Sequence, residues 1–110
     1  MPSHPFHLNV DLIMLGTQFR DVHATLDVYA AEMGPNHRKY LHDDGAVSFI
    51  YFSFESHMAA WSAFYHIVLD RVSDRVSSDS CIAEFLFLRD QGVIPEYDCG
   101  NAPPLLLDTY

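Results

Sequence analysis

His37-Arg-Lys-Tyr-Leu-His-Asp-Asp-Gly-Ala-Val-Ser-Phe-Ile-Tyr-Phe-Ser-Phe54 is the stretch on which the fold turns. Asp44-Gly45 is a hairpin signal, because that dipeptide readily supplies the positive φ angles of tight β-turns. Ala46 to Phe54 is rich in β-branched and aromatic residues, which suit a pleated surface. The segment therefore predicts two antiparallel strands, 37–42 and 46–54, paired across residues 43–45. A competing reading makes Asn36 to Asp43 a short helix closed by Gly45.

Upstream, Leu8, Val10, Leu12 and Met14 alternate with Asn9 and Asp11, which predicts a strand over 8–15. Gly16-Thr17 opens a helix with Thr17 as its N-cap, and Phe19, Val22, Leu26, Tyr29, Ala30 and Met33 recur at helical spacing until Gly34-Pro35. Downstream, Ser53 or Ser56 caps a second helix that runs to about Val76. Its apolar stripe is Met58, Trp61, Tyr65, Val68, Leu69 and Val72, widened by Phe64 and Ile67. Cys81–Leu88 reads either as a helix capped by Ser80 and closed by Gly92, or as a strand with Cys81, Ala83, Phe85 and Phe87 on one face. The consecutive apolar run Phe85-Leu-Phe-Leu88 favours the strand. From Arg89 onward Gly, Pro and Asp dominate, ending in Pro103-Pro-Leu-Leu-Leu107.

The expected order is βαββαβ with a C-terminal tail from about residue 90, a single α+β domain over 1–110. That is the ferredoxin-like plan, with two helices on one face of an antiparallel sheet. In element order it is similar to the dimeric α/β-barrel superfamily, and the alternative is a mostly α chain with a short sheet. The uncovered sheet face would carry Val47, Phe49 and Tyr51 or Ile50, Phe52 and Phe54. Monomers seldom expose so large an apolar patch, which predicts a homodimer through that face.

Composition narrows the partners. The chain has 110 residues, a formal net charge of −9, and 49% hydrophobic and 14% aromatic residues. Such apolar content argues against disorder. Only Arg38-Lys39 cluster as cations, so neither nucleic acid nor an anionic membrane is an expected partner. No apolar run approaches the roughly 18 residues that span a bilayer. Met1-Pro-Ser-His-Pro5 lacks a basic leader, so a cytoplasmic location is expected. Cys81 and Cys99 have no metal spacing; Cys81 suits a buried small hydrophobe.

Chemistry rests on seven histidines. The densest cluster is 37–44. There His42 or His37 reads as a proton acceptor, Asp43 or Asp44 as the group orienting the ring, and Arg38 as the holder of an anionic group. Around a turn, Asp is also expected for geometry alone. Tyr51, Trp61 and Tyr65, with Phe49 and Phe64, are candidate walls of an aromatic ligand pocket, or simply core, and Tyr40 or Tyr51 is the hydrogen-bond donor to the ligand. The helical pairs His23/Asp27 and His66/Asp70 each share a face at i, i+4 spacing, a geometry that can ligate metal. A helical wheel turns His66 and Asp70 away from Trp61, toward solvent. His23 with Asp27 is thus the metal alternative to an expectation of no metal and no cofactor. His42-Asp43 followed by a later Asp resembles the metal-dependent HD phosphohydrolases. Their motifs sit on helices in a substantially larger all-α domain, whereas here the dipeptide precedes the predicted turn. P-loop, GxGxxG, GxSxG and HExxH motifs are all absent. The expected function is a small-molecule-binding protein or cofactor-independent enzyme, the alternative being a non-catalytic interaction module with an acidic surface.

Overall fold

The computed structural model describes residues 4–28, 42–107 and 110, and among them it contains helices and no strand. In chain order these are α1 (His4–Leu15), α2 (Arg20–Leu26), α3 (Asp44–Phe54), α4 (His57–Ser73), a 3₁₀ turn (Ser78–Ser80) and α5 (Cys81–Asp90). Helix α4 is the axis of the molecule: α1, α2, α3 and α5 all pack on it. Residues 59 to 70 of α4 are buried without a break. A helix enclosed on every side carries no amphipathic stripe. That is why Ser62, His66 and Asp70 lie inside together with Trp61, Phe64 and Tyr65.

The ferredoxin-like expectation is overturned, and with it the likeness to dimeric α/β barrels and the short sheet of the alternative. Each misread segment has a physical reason. In 46–54 the run of aromatics reads as a strand apolar on both faces, yet Val47, Ile50, Tyr51 and Phe54 also fall at helical spacing. In the structure Val47 and Ile50 are buried, Tyr51 and Phe54 half-buried, and Phe49 and Phe52 point outward. Asp43 decides the local outcome. Its backbone is extended and its Oδ1 accepts from the Ala46 N–H at 2.9 Å, which is an N-cap and not a hairpin turn. Residues 37–41 of the expected first hairpin strand lie outside the described residues.

In 8–15 the alternation of Leu8, Val10, Leu12 and Met14 is coincidental. The face that α1 buries contains His7, Leu8, Val10 and Asp11, while Leu12 and Ile13 are exposed. Polar residues on the inner face broke the helical pattern as read from hydrophobicity. Cys81–Leu88 is helical within α5, with Cys81 and Phe85 buried one turn apart. Gly92, at φ +78°, ends that helix in the left-handed conformation that glycine adopts without a Cβ penalty. Thr17 is not a cap: α2 begins after Phe19, and its first turn is held by a carboxylate from α1. Ser56 caps α4, its Oγ accepting from the Ala59 N–H at 3.1 Å.

The segment after α5 folds back along the axial helix. The Trp61 indole N–H donates to the Asn101 carbonyl and the Tyr65 hydroxyl to the Pro95 carbonyl, each at 2.8 Å. Ile94 and Tyr110 enter the core. Among the described residues there is no sheet, so the sheet face on which self-association was expected is not found there. No helix among the described residues is long and apolar enough to cross a membrane. If Asp43 acts as a cap, Asp43→Ala should lower the unfolding free energy by about 1 kcal/mol in urea denaturation. A loss below 0.3 kcal/mol (roughly a glycine-level effect at such a position) would contradict the capping role.

Candidate metal centre

Three helical segments repeat a His-x-x-x-Asp spacing: His7/Asp11, His23/Asp27 and His66/Asp70. Residues four apart on a helix lie one above the other on the same face. In α1 and α4 that face is turned inward, and α2 adds His23 from its last turn and Asp27 from its C-cap. His42 joins them from the segment just before α3. The result is a buried cluster of His7, His23, His42, His66, Asp11 and Asp70, with Asp27 half-buried at its edge.

The cluster has two layers. The inner layer comprises His42 Nε2, His66 Nε2, Asp27 Oδ1 and Asp70 Oδ2. The two imidazole nitrogens are 3.2 Å apart. His42 Nε2 lies 3.6 Å from Asp27 and 3.2 Å from Asp70, and His66 Nε2 lies 3.3 Å and 3.5 Å from the same two oxygens. The outer layer is tighter. Asp11 Oδ2 meets His23 Nε2 at 2.7 Å and accepts the Phe19 N–H at 2.8 Å, while its Oδ1 accepts the Ser62 hydroxyl at 2.8 Å. His23 Nδ1 meets His66 Nδ1 at 2.8 Å. On the other side, His7 Nε2 lies 3.2 Å from Asp70 Oδ1. The His7 ring stacks on His66 at 3.7 Å, and its buried Nδ1 has no hydrogen-bond partner among the described residues.

Among the described residues, two ligand triads come within reach of a single ion: His7, His23 and His66, and Asp27, His42 and His66. The second is the better chelate. The His7 and His66 rings are nearly parallel, with 12° between their planes, so their in-plane lone pairs do not converge. The His42 and His66 rings are inclined by 59°, and Asp70 adds a further oxygen.

The electrostatics match this division. Burial pushes the His66 imidazole down to about 3, helped by the charge of His7, so the ring stays neutral and able to donate a lone pair. Burial works against ionisation of Asp27 and Asp70, but hydrogen bonds from the surrounding imidazoles, His42 first among them, outweigh it. Both carboxyls are held well below the usual range.

Sequence reasoning located part of this site. His42, His23 and Asp27 are in the cluster. Asp43 is exposed and spent as a helix cap, and Asp44 Oδ1 accepts the Leu106 N–H at 2.8 Å. The His42-Asp43 dipeptide therefore contributes only its histidine. Trp61 and Tyr65 are buried in the core with their polar tips taken by backbone carbonyls. Tyr51 is half-buried on α3, beside His57. His37, Arg38 and Tyr40 lie outside the described residues. His66 and Asp70, expected to face solvent, are 1% and 2% exposed, because α4 is covered on both sides. His7, Asp11 and Ser62 were missed. The signal available for them was the threefold recurrence of the His-x-x-x-Asp spacing.

The shifts have one sign for stability. His66 ordinarily titrates near 6.5, so below that pH the unfolded chain binds a proton that the folded chain refuses until about pH 3. Asp27 and Asp70, with folded values depressed below an ordinary 3.8, stabilise the fold at higher pH and lose that contribution as pH falls further. The urea midpoint of the chelator-treated protein should therefore drop between pH 7 and pH 4, and a midpoint that rises over that range would contradict the network. Comparison with protein-family models, curated proteins and solved structures finds no match, so the reading of this cluster rests on its geometry.

Proposed function

We propose that this chain is a metal-binding helical domain that holds one divalent transition-metal ion between His42, His66, Asp27 and Asp70. One observation carries this reading: the separations of the two inner imidazole nitrogens from each other and from the oxygens of Asp27 and Asp70, 3.2 to 3.6 Å. Ligands about 2.0–2.1 Å from a tetrahedral ion stand about 3.3–3.4 Å from one another. As hydrogen bonds between imidazole and carboxylate the same contacts are long, since charge-assisted pairs close to about 2.7–2.9 Å. The contacts of Asp11 and His23 do close to 2.7–2.8 Å, whereas His7 Nε2 stands 3.2 Å from Asp70 Oδ1 at the edge of the inner set.

Charge and chemistry point the same way. Two carboxylates neutralise a divalent cation, and a mixed imidazole and carboxylate set suits zinc, iron or manganese. A buried set of this kind is a poor device for stability alone, because desolvating several charged groups can cost more than their attraction returns. Access comes at Asp27, whose side chain is 30% exposed, and through a pocket lined by His42, Ile67, Asp70, Arg71 and Asp74. An ion that expands to a fifth ligand on that side would supply Lewis acidity to a small molecule. This departs from the expectation of a cofactor-free protein. This reading puts the ligand site at the metal, whereas the sequence expectation put it in an aromatic pocket.

Titration of the chelator-treated protein with Zn²⁺ or Co²⁺ should give one strong site per chain. His66→Ala and Asp70→Ala should each weaken it by 100-fold or more (a loss of about 2.7 kcal/mol), whereas His57→Ala should leave it unchanged. Wild-type protein that binds neither ion tighter than millimolar would sink the proposal.

A further inference from the structure

We infer that Asp11 and His23 are positioning residues that fix the tautomer of His66, so that its Nε2 is the bare nitrogen presented to the inner layer. The assignment follows from which atoms can donate. Asp11 accepts at both oxygens, from the Ser62 hydroxyl on one and from the Phe19 N–H and His23 Nε2 on the other. The 2.7 Å contact with His23 therefore places a hydrogen on His23 Nε2. A neutral imidazole carries one hydrogen, so His23 Nδ1 is then an acceptor. It faces His66 Nδ1 at 2.8 Å, and the hydrogen between them belongs to His66. His66 Nε2 is left with its lone pair, facing His42 Nε2, Asp27 and Asp70.

The relay spans the fold. Asp11 comes from α1, the Phe19 N–H from the start of α2, His23 from α2, and Ser62 and His66 from α4. Asp11, His23, Ser62 and His66 are all at most 1% exposed, so water does not compete for these hydrogen bonds. Outer partners of this type orient a ligating histidine and raise its basicity, and their loss commonly weakens metal binding by about 10–100-fold. The consequence for metal affinity rests on the metal-binding reading; the tautomer itself does not.

Long-range ¹H–¹⁵N correlation spectra of the metal-free wild type at pH 7.5 read which ring nitrogen of each histidine carries hydrogen. The expected result is His23 protonated at Nε2 and His66 at Nδ1. His23→Leu should release His66 to the other tautomer and weaken Zn²⁺ binding 10–100-fold. Asp11→Asn, whose carbonyl can still accept from Phe19 and His23, should lose less than tenfold. A wild-type His66 protonated at Nε2 overturns the inference, as does a His23→Leu affinity within twofold of wild type. If His23→Leu does not fold, the wild-type spectrum decides alone. A wild type with the expected tautomers that binds no zinc overturns the metal reading and leaves the assignment standing.

Discussion

The architecture depends on the burial of imidazoles and carboxylates between the axial helix and α1 and α2. Asp11 is the keystone. Its carboxylate takes the first backbone N–H ahead of α2, the hydroxyl of Ser62 on α4 and a ring nitrogen of His23. A buried carboxylate without partners would cost several kcal/mol. Satisfied three times over, it instead ties α1, α2 and α4 into one arrangement. No apolar contact constrains those helices as closely, because hydrophobic packing tolerates sliding where a hydrogen bond at 2.7–2.8 Å does not.

Different sides of the axial helix are held by different physics. Around His66 the interior is polar and its geometry is set by hydrogen bonds. Around Trp61, Phe64, Tyr65 and Phe85 it is aromatic, with ring pairs packed edge-on or tilted at 5.6–5.8 Å. The C-terminal segment closes the aromatic side by accepting from the Trp61 and Tyr65 tips. One helix thus serves both halves, with the polar tips of the aromatic half directed to backbone and those of the other half directed to each other. This division explains why tyrosine and tryptophan, plausible walls of a pocket on composition, are core residues. It also explains why chemistry collects at the histidines.

The metal-binding reading follows from a contrast of distances within one cluster. If all of these groups were simply hydrogen-bonded, the inner contacts would shorten as those of Asp11 and His23 do. Instead the two inner imidazole nitrogens stand 3.2 to 3.6 Å from each other and from the oxygens of Asp27 and Asp70, close to the ligand spacing around a tetrahedral ion. The proposed cation would sit among them as the partner of two carboxylates and two imidazoles.

Several features were legible in the residues. Ser56 is a helix cap, Cys81 is a buried small residue, and His42, His23 and Asp27 stand out as reactive types. Local spacing also placed His66 and Asp70 on a common helical face. What the residues did not determine was which way those faces turn. Ala46–Phe54 and Cys81–Leu88 are apolar on so many consecutive positions that periods of 2 and 3.6 both fit, and only packing against α4 selects the helix. In α1 the inward face carries His7 and Asp11, so its hydrophobic pattern named the wrong period. Solvent exposure of His66 and Asp70 was read from α4 as though it were a surface helix. Enclosure of α4 by four neighbours is a property of the assembled fold. It converts an unremarkable His-x-x-x-Asp surface pair into the centre of a buried polar cluster, because burial depends on what covers a face and no single segment contains that information.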